Sequence, residues 1–275
     1  AQKRGLDEIN VDMGKPSSMN RLLQGDGGAG KTVVAMTAMI TACENGYQAA
    51  IMAPTEILAE QHYNVIKNWA DQLGIIVTLL TSGIQSKKRK EIYLQIEKNE
   101  VHIIVGTHAL IRESVTFAKL GLIVVDEQHR FGVIQRASLR QKGINPDVLV
   151  MTATPIPRTL AMTVYGDLDV SVINEFPPGR KEIQTKVFFE GQRNRVYEII
   201  RGEIKKKNQV FIVYPLVEES ENMDLKDATK MAEHLQKDIF PDFRVGLIHG
   251  RLTGKEKDTV MTSFLNKEID LLVST

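Results

Sequence analysis

Gly25-Asp26-Gly27-Gly28-Ala29-Gly30-Lys31-Thr32 stands between an apolar pair, Leu22-Leu23, and a run with helical character, Val33–Ala42. Strand, glycine-rich turn and helix in that order, spelling G-x-x-x-x-G-K-[ST], make the pattern of a phosphate-binding loop. Small side chains let successive backbone N–H groups curl around phosphate oxygens, and the helix amino terminus adds a partial positive charge. On this reading the loop holds ATP: Lys31 reaches the β- and γ-phosphates, and the Thr32 hydroxyl ligates Mg2+. A strand that feeds a helix through a tight loop is also the repeating unit of a parallel α/β sheet.

Further along, the apolar run Gly121-Leu122-Ile123-Val124-Val125 ends in Asp126-Glu127. Sheets of this class place ligands at the carboxyl ends of their strands. Asp126 is suited to hold Mg2+, and Glu127 to polarise an attacking water. An acidic pair after an apolar run is by itself an ordinary strand end, and its weight here comes from coexisting with the phosphate loop.

Short apolar runs with strand character recur at Ala49–Ala53, Ile76–Leu80, Val101–Val105 and Val148–Met151, separated by segments of helical spacing. Alternating strands and helices imply crossovers, hence a mainly parallel sheet covered on both faces. Between Thr55 and Leu73, Leu58, His62, Val65, Ile66, Trp69 and Leu73 fall at steps of three and four, which predicts one packed helical face including His62 and Trp69. Phe176-Pro177-Pro178-Gly179-Arg180 interrupts the rhythm and reads as a connector. Beyond it the pattern predicts strands at Thr185–Phe189, Gln209–Tyr214, Arg244–Ile248 and Ile269–Ser274. Helices are expected around Val196–Ile204, Asp224–Lys237 and Lys255–Leu265. Two lobes result, residues 1–184 and 185–275. An ending on an apolar strand, where another crossover is due, makes the second lobe read as incomplete.

With 275 residues and 43% hydrophobic content, two ordinary domains can each bury a core. A net charge of +1 excludes a surface coated in basic side chains but not a single phosphate-gripping cleft. Lys87-Lys88-Arg89-Lys90 and Lys205-Lys206-Lys207 read as solvated helix ends. Cys43 is the only cysteine, so neither an intrachain disulfide nor a cysteine-based zinc site is available. No apolar stretch approaches the roughly 20 residues needed to span a bilayer, and the polar start is no signal peptide, so a cytoplasmic protein without membrane association is expected.

Asp126-Glu127-Gln128-His129 resembles the D-E-x-H form of the second helicase motif, and Thr152-Ala153-Thr154 resembles the third. Ala53-Pro54-Thr55-Glu56-Ile57-Leu58-Ala59-Glu60-Gln61-His62, Gly106-Thr107-His108-Ala109-Leu110 and Tyr165-Gly166-Asp167 are similar to phrases of the RecG-type branched-DNA helicases of superfamily 2. The transcription-repair coupling translocases resemble the same stretches, but Gln128, Tyr165-Gly166-Asp167 and Pro177-Pro178-Gly179-Arg180 favour the RecG type.

The resemblance implies two RecA-like lobes, ATP and Mg2+ between them, and an ATP-dependent motor that works as a monomer on branched or forked DNA in recombination and repair. Gln2 matches the glutamine that reads adenine. Gln128 and His129 match residues that sense the γ-phosphate and bond toward the Thr152-Ala153-Thr154 loop. Thr55, Thr107 and His108 match the nucleic-acid track of the first lobe. Tyr214-Pro215-Leu216, His249-Gly250-Arg251 and Val273-Ser274-Thr275 match the track of the second. A junction-recognising wedge domain and an arginine-bearing final motif have no counterpart, so the chain reads as a motor fragment with little turnover of its own. Gly27 and Ala29 depart from the family's aliphatic residue and serine, and the added glycine loosens the loop. A small-molecule P-loop kinase would explain Gly25–Thr32 but not the later motifs or a second lobe. A non-hydrolysing nucleic-acid scaffold would not need Lys31, Thr32, Asp126 and Glu127 together.

Overall fold

The structure is a computed structural model that describes residues 1–126, 138–154, 168–175, 183–214 and 229–274. The chain divides into two compact units, Ala1–Lys181 and Glu182–Thr275.

The first unit is built on seven strands: β1 (Asn20–Gly25), β2 (Gln48–Met52), β3 (Val77–Leu80), β4 (Ile103–Gly106), β5 (Leu120–Asp126), β6 (Asp147–Thr152) and β7 (Asp169–Ile173). Their order is β3-β4-β2-β5-β6-β1-β7, and every pairing is parallel. Successive side chains on a strand face opposite sides. Leu23 accordingly belongs to the core of one face, with Ile9, Met39 and Ile66 of α1 (Gln2–Met13), α2 (Lys31–Glu44) and α3 (Glu56–Ala70). Its neighbour Leu22 belongs to the core of the other, with Ile92 and Ile96 of α4 (Ser86–Glu97). Both faces are covered, so β2 is buried along its whole length, as a central parallel strand requires.

Two elements were not anticipated. Helix α1 buries Gly5, Ile9 and Asp12, and is fastened by charge as much as by apolar contact. Arg21 of β1 donates from Nε to Asp12 Oδ2 at 2.8 Å and from Nη1 to Ser171 Oγ at 2.9 Å. Lys15 adds a 2.7 Å bond to Asp12 Oδ1, and Ser171 on β7 donates to Glu8. Breaking such a buried pair from one side costs about 3–5 kcal/mol. Strand β7 is the other addition, pairing with β1 from Arg21↔Asp169 to Gly25↔Ile173.

Helix α3 packs through part of the expected face. Ile66 is buried, Leu58 packs against the core and His62 is nearly covered, whereas Trp69 is 57% exposed and Val65 and Leu73 also face solvent. The buried face is completed by Ala59 and Ala70 instead.

Gln48 closes the amino-terminal edge of the sheet. It is fully buried, donates through Nε2 to Ile96 O and Val101 O, and accepts at Oε1 from Ala118 N and Lys119 N. Its amide thereby serves two donors and two acceptors that no strand pairing reaches.

In the second unit, β8 (Val210–Val213), β9 (Val245–Ile248) and β10 (Leu271–Ser274) form a parallel sheet in the order β8-β10-β9. Helices α5 (Arg193–Lys205) and α6 (Gly254–Leu265) flank these strands in sequence, and a π-helical turn spans Leu235–Ile239. Thr253 and Glu256 form a capping box that starts α6. The expected strand at Thr185–Phe189 is absent. Residues 183–189 are coil, and Val187 and Phe189 are exposed, because alternation alone supplies no partner strand. Leu271 is fully buried since β10 is the middle strand, while Val213 on β8 is 70% exposed. Of the helix expected over Asp224–Lys237, residues 229–234 are helical, and the part before 229 lies outside the described residues.

Candidate nucleotide site

The loop between β1 and α2 has the geometry that its glycines permit. Gly28 and Gly30 hold φ of 81° and 92°, in the left-handed region that side-chain-bearing residues avoid. Gly30 is also the N-cap of α2, so the helix begins at Lys31 and its free N–H groups face the loop. Lys31 Nζ donates to Gly25 O at 2.7 Å and Asp26 O at 3.1 Å, which holds its ammonium over the loop mouth. Gln2 of α1 donates from Nε2 to Ala29 O at 2.8 Å, so the glutamine singled out upstream is in direct contact with the loop.

Register brings the other residues to the same edge. Gln24 is level with Thr152, and Asp126 with Met151, so the loop, Asp126 and Thr152-Ala153-Thr154 follow the carboxyl ends of β1, β5 and β6. Thr152 is buried; its Oγ1 lies 2.7 Å from Thr154 Oγ1 and accepts from Thr154 N at 3.1 Å, which folds the segment into a tight turn. A cleft of about 240 Å³ is lined by Gln24, Gly25, Asp26, Ala153, Val172 and Ile173. A larger one, about 610 Å³, lies at the amino-terminal edge between Lys15, Asn45, Tyr47, Gly121 and Asp147. It holds none of the residues of the loop or of the strand ends that follow β5 and β6, whereas the smaller cleft includes Gly25, Asp26 and Ala153 of that edge.

Asp126 is 9% exposed and accepts from a residue that motif reading had assigned to packing: His62 Nε2 lies 2.7 Å from its Oδ2. The two are 64 positions apart, and no local spacing links them. Thr32, on the first turn of α2, is half-buried. A hydroxyl and a carboxylate are hard oxygen donors of the kind Mg2+ prefers, and Mg2+ usually takes one or two carboxylates and completes its shell with phosphate and water. The donor set fits that ion. Glu127, Gln128 and His129 lie outside the described residues.

Thr55, Thr107 and His108 stand at the same edge, after β2 and β4. Thr55 caps α3 and accepts from Leu58 N at 3.3 Å, Thr107 is buried, and His108 is exposed. In the second unit Tyr214, His249 and Ser274 follow or end β8, β9 and β10, with Tyr214 N donating to Ser274 O at 2.9 Å. Arg251 is exposed beyond them, and His249 Nδ1 is shielded with no hydrogen-bond partner among the described residues. Pro215, Leu216 and Thr275 lie outside the described residues.

Residues 2–163 match the family model described as DEAD/DEAH box helicase. The chain belongs to that helicase family. Residues 191–275 match the helicase conserved C-terminal domain. Among characterised helicases, the chain is 52% identical over its whole length to the ATP-dependent DNA helicase RecG of Synechocystis sp., covering 33% of that protein. It is 50% identical to RecG of Thermotoga maritima, covering 35%. The chain thus spans about a third of the length of these relatives. A solved structure of RecG bound to a three-way DNA junction superposes with a TM-score of 0.77 at 45% identity, over all of this chain and 36% of that one. S. cerevisiae Dbp5 bound to RNA and ADP BeF3 shares the fold at a TM-score of 0.69 and 18% identity, over 98% of this chain and 69% of that one. Among the described residues, no helix is long and apolar enough to cross a membrane.

Proposed function

We propose that this chain is the motor region of a RecG-type DNA helicase, using ATP and Mg2+ to translocate on branched or forked DNA in the cytoplasm. The observation that carries the reading is the convergence of the phosphate loop, Asp126 and the Thr152–Thr154 turn on one edge of the first sheet. The identity to RecG along the whole chain and the superposition on a junction-bound RecG support the substrate class. In this reading residues 1–184 form the ATP-binding lobe and residues 185–275 the second helicase lobe.

The chain's own groups divide the work. Lys31 leaves the Gly25 and Asp26 carbonyls for the β- and γ-phosphates, exchanging two neutral acceptors for a charged one. The loop N–H groups and the start of α2 hold the remaining phosphate oxygens. Thr32 and Asp126 would hold Mg2+, which when bound would supply positive charge against that developing on the phosphates. Glu127 accepts the proton of the attacking water, and Gln128 and His129 relay the γ-phosphate state to Thr152 and Thr154. Gln2, already on the loop, reads the adenine edge through its amide. Thr55, Thr107 and His108 in the first unit and His249 and Arg251 in the second line the DNA track. They contact sugar and phosphate, which positions DNA without reading its sequence.

Two measurements test this. A fluorescent ATP analogue is expected to bind the wild-type chain and to lose measurable binding in Lys31→Ala without loss of fold. Steady-state phosphate release is then compared without DNA, with linear duplex and with a three-way junction. This chain alone is expected to release phosphate near background with every DNA, so the DNA dependence is read in a full-length RecG carrying this motor region. Turnover there that ignores DNA, or unchanged nucleotide affinity in a folded Lys31→Ala, refutes the reading.

A further inference from the structure

The contact between His62 and Asp126 is the one feature of the site that the motif reading leaves unexplained. His62 lies on α3, and its Nε2 is 2.7 Å from Asp126 Oδ2, with the side chains 11% and 13% exposed. Val65 and Trp69 on α3 are exposed, whereas Ala59 and Ile66, one turn before and after His62, are buried. The His62 ring therefore lies on the packed side of α3, where its Nε2 meets the carboxylate at the end of β5.

We propose that His62 is a positioning residue: it donates Nε2–H to Asp126 Oδ2 and fixes the carboxylate in the orientation from which it holds Mg2+. The inference rests on the reading of Asp126 given above. A carboxylate offers about four lone-pair sites, so a bond to one oxygen coexists with a cation on the group. Without the imidazole the carboxylate samples further rotamers, and each binding event must reorder it. Outer partners of this kind change metal affinity by about 10–100-fold when removed. The bond also joins α3, which Thr55 caps, to the strand carrying the carboxylate.

The test is a Mg2+ titration of the full chain bound to a fluorescent ATP analogue, for wild type, His62→Ala, His62→Gln and Asp126→Asn. Thermal midpoints and nucleotide affinity without metal are measured on the same samples. In His62→Ala the apparent Mg2+ affinity is expected to fall about 10-fold or more, with metal-free nucleotide affinity held within about twofold. His62→Gln keeps an N–H donor on a side chain of similar reach and is expected to restore most of the loss. If Asp126→Asn weakens Mg2+ binding and His62→Ala does not, the positioning role is overturned while the assignment of Asp126 stands. If neither variant alters it, the assignment of Asp126 fails first. A joint loss of metal-free nucleotide binding and thermal stability in His62→Ala, unrescued by glutamine, makes His62 a structural residue and overturns the inference.

Discussion

Replacing Gly30 by alanine strains the phosphate loop in two separable ways. Gly30 sits at φ 92°, ψ 21°, and a residue with a Cβ pays about 1–2 kcal/mol to hold that left-handed conformation. The added Cβ would also lie 2.1 Å from Gln2 Nε2, so the amide must swing away and give up its bond to Ala29 O, a loss of about 1 kcal/mol. The sum is about 2–3 kcal/mol, which for a unit of this size lowers the unfolding midpoint by about 4–12 °C. Trp69 is the single tryptophan and lies in the first unit, so its emission follows that unit alone. Gly27→Ala is the control: its φ is not in the left-handed region and nothing lies within 4 Å of its added Cβ, so its cost stays under about 1 kcal/mol. On a Gln2→Ala background the Gly30 substitution is expected to cost about 1 kcal/mol less than in wild type, since the bond it breaks is already gone. Equal midpoints for Gly30→Ala and Gly27→Ala, or full additivity of the Gln2 and Gly30 substitutions, refute the argument.

Gln48→Leu strands the Val101 carbonyl and removes the acceptor of the Ala118 and Lys119 N–H groups, so the urea midpoint is expected to report a loss of about 2–5 kcal/mol with the nucleotide site intact. Burial pushes the Asp12 carboxyl up, but the bonds and charges of Lys15 and Arg21 outweigh it and hold the group below its ordinary 3.8. The stabilisation from this pair is then complete above the unfolded value and lost as pH falls through the lower folded value. Urea midpoints below pH 4 are expected to fall more steeply for wild type than for Asp12→Asn, and parallel curves refute the assignment. Burial, with a smaller contribution from Glu44, pushes the Cys43 thiol up to about 12, so it stays protonated at neutral pH. A disulfide reagent is expected to label it slowly in the folded chain and fast in denaturant, and equal rates count against the burial.

What could be read in advance is what local requirements dictate. A loop that wraps phosphate needs small residues, a lysine and a helix start within a few positions, and Gly25–Thr32 shows all of them in a row. A buried parallel strand needs an unbroken apolar run, as in Gly121–Val125. Helix α1 escaped because the positions it buries include Gly5 and Asp12, and the partner that makes Asp12 tolerable, Arg21, lies on another element. Steps of three and four on α3 mark a face wider than the sheet covers: Leu58, His62 and Ile66 lie on the covered side, and Trp69 stands in solvent. The partner of His62 is not legible, because it stands 64 residues away and only the fold brings the two together. At Thr185–Phe189 alternation was present and a neighbouring strand was not.

Seven strands running one way give the first sheet two unlike rims. At one, Gln48 and the Asp147 carboxylate, which accepts from Met19 N at 2.6 Å, tie off backbone groups. At the other stand the phosphate loop, Asp126 and Thr152. A map of tolerated substitutions across this unit is therefore lopsided. Changes near residues 48, 118 and 147 are expected to drain stability alone, whereas changes near 30, 126 and 152 are expected to reach nucleotide binding as well. Thermal hardiness can then be altered along one rim independently of the other, and a library built to harden the protein belongs on the rim away from the phosphate loop.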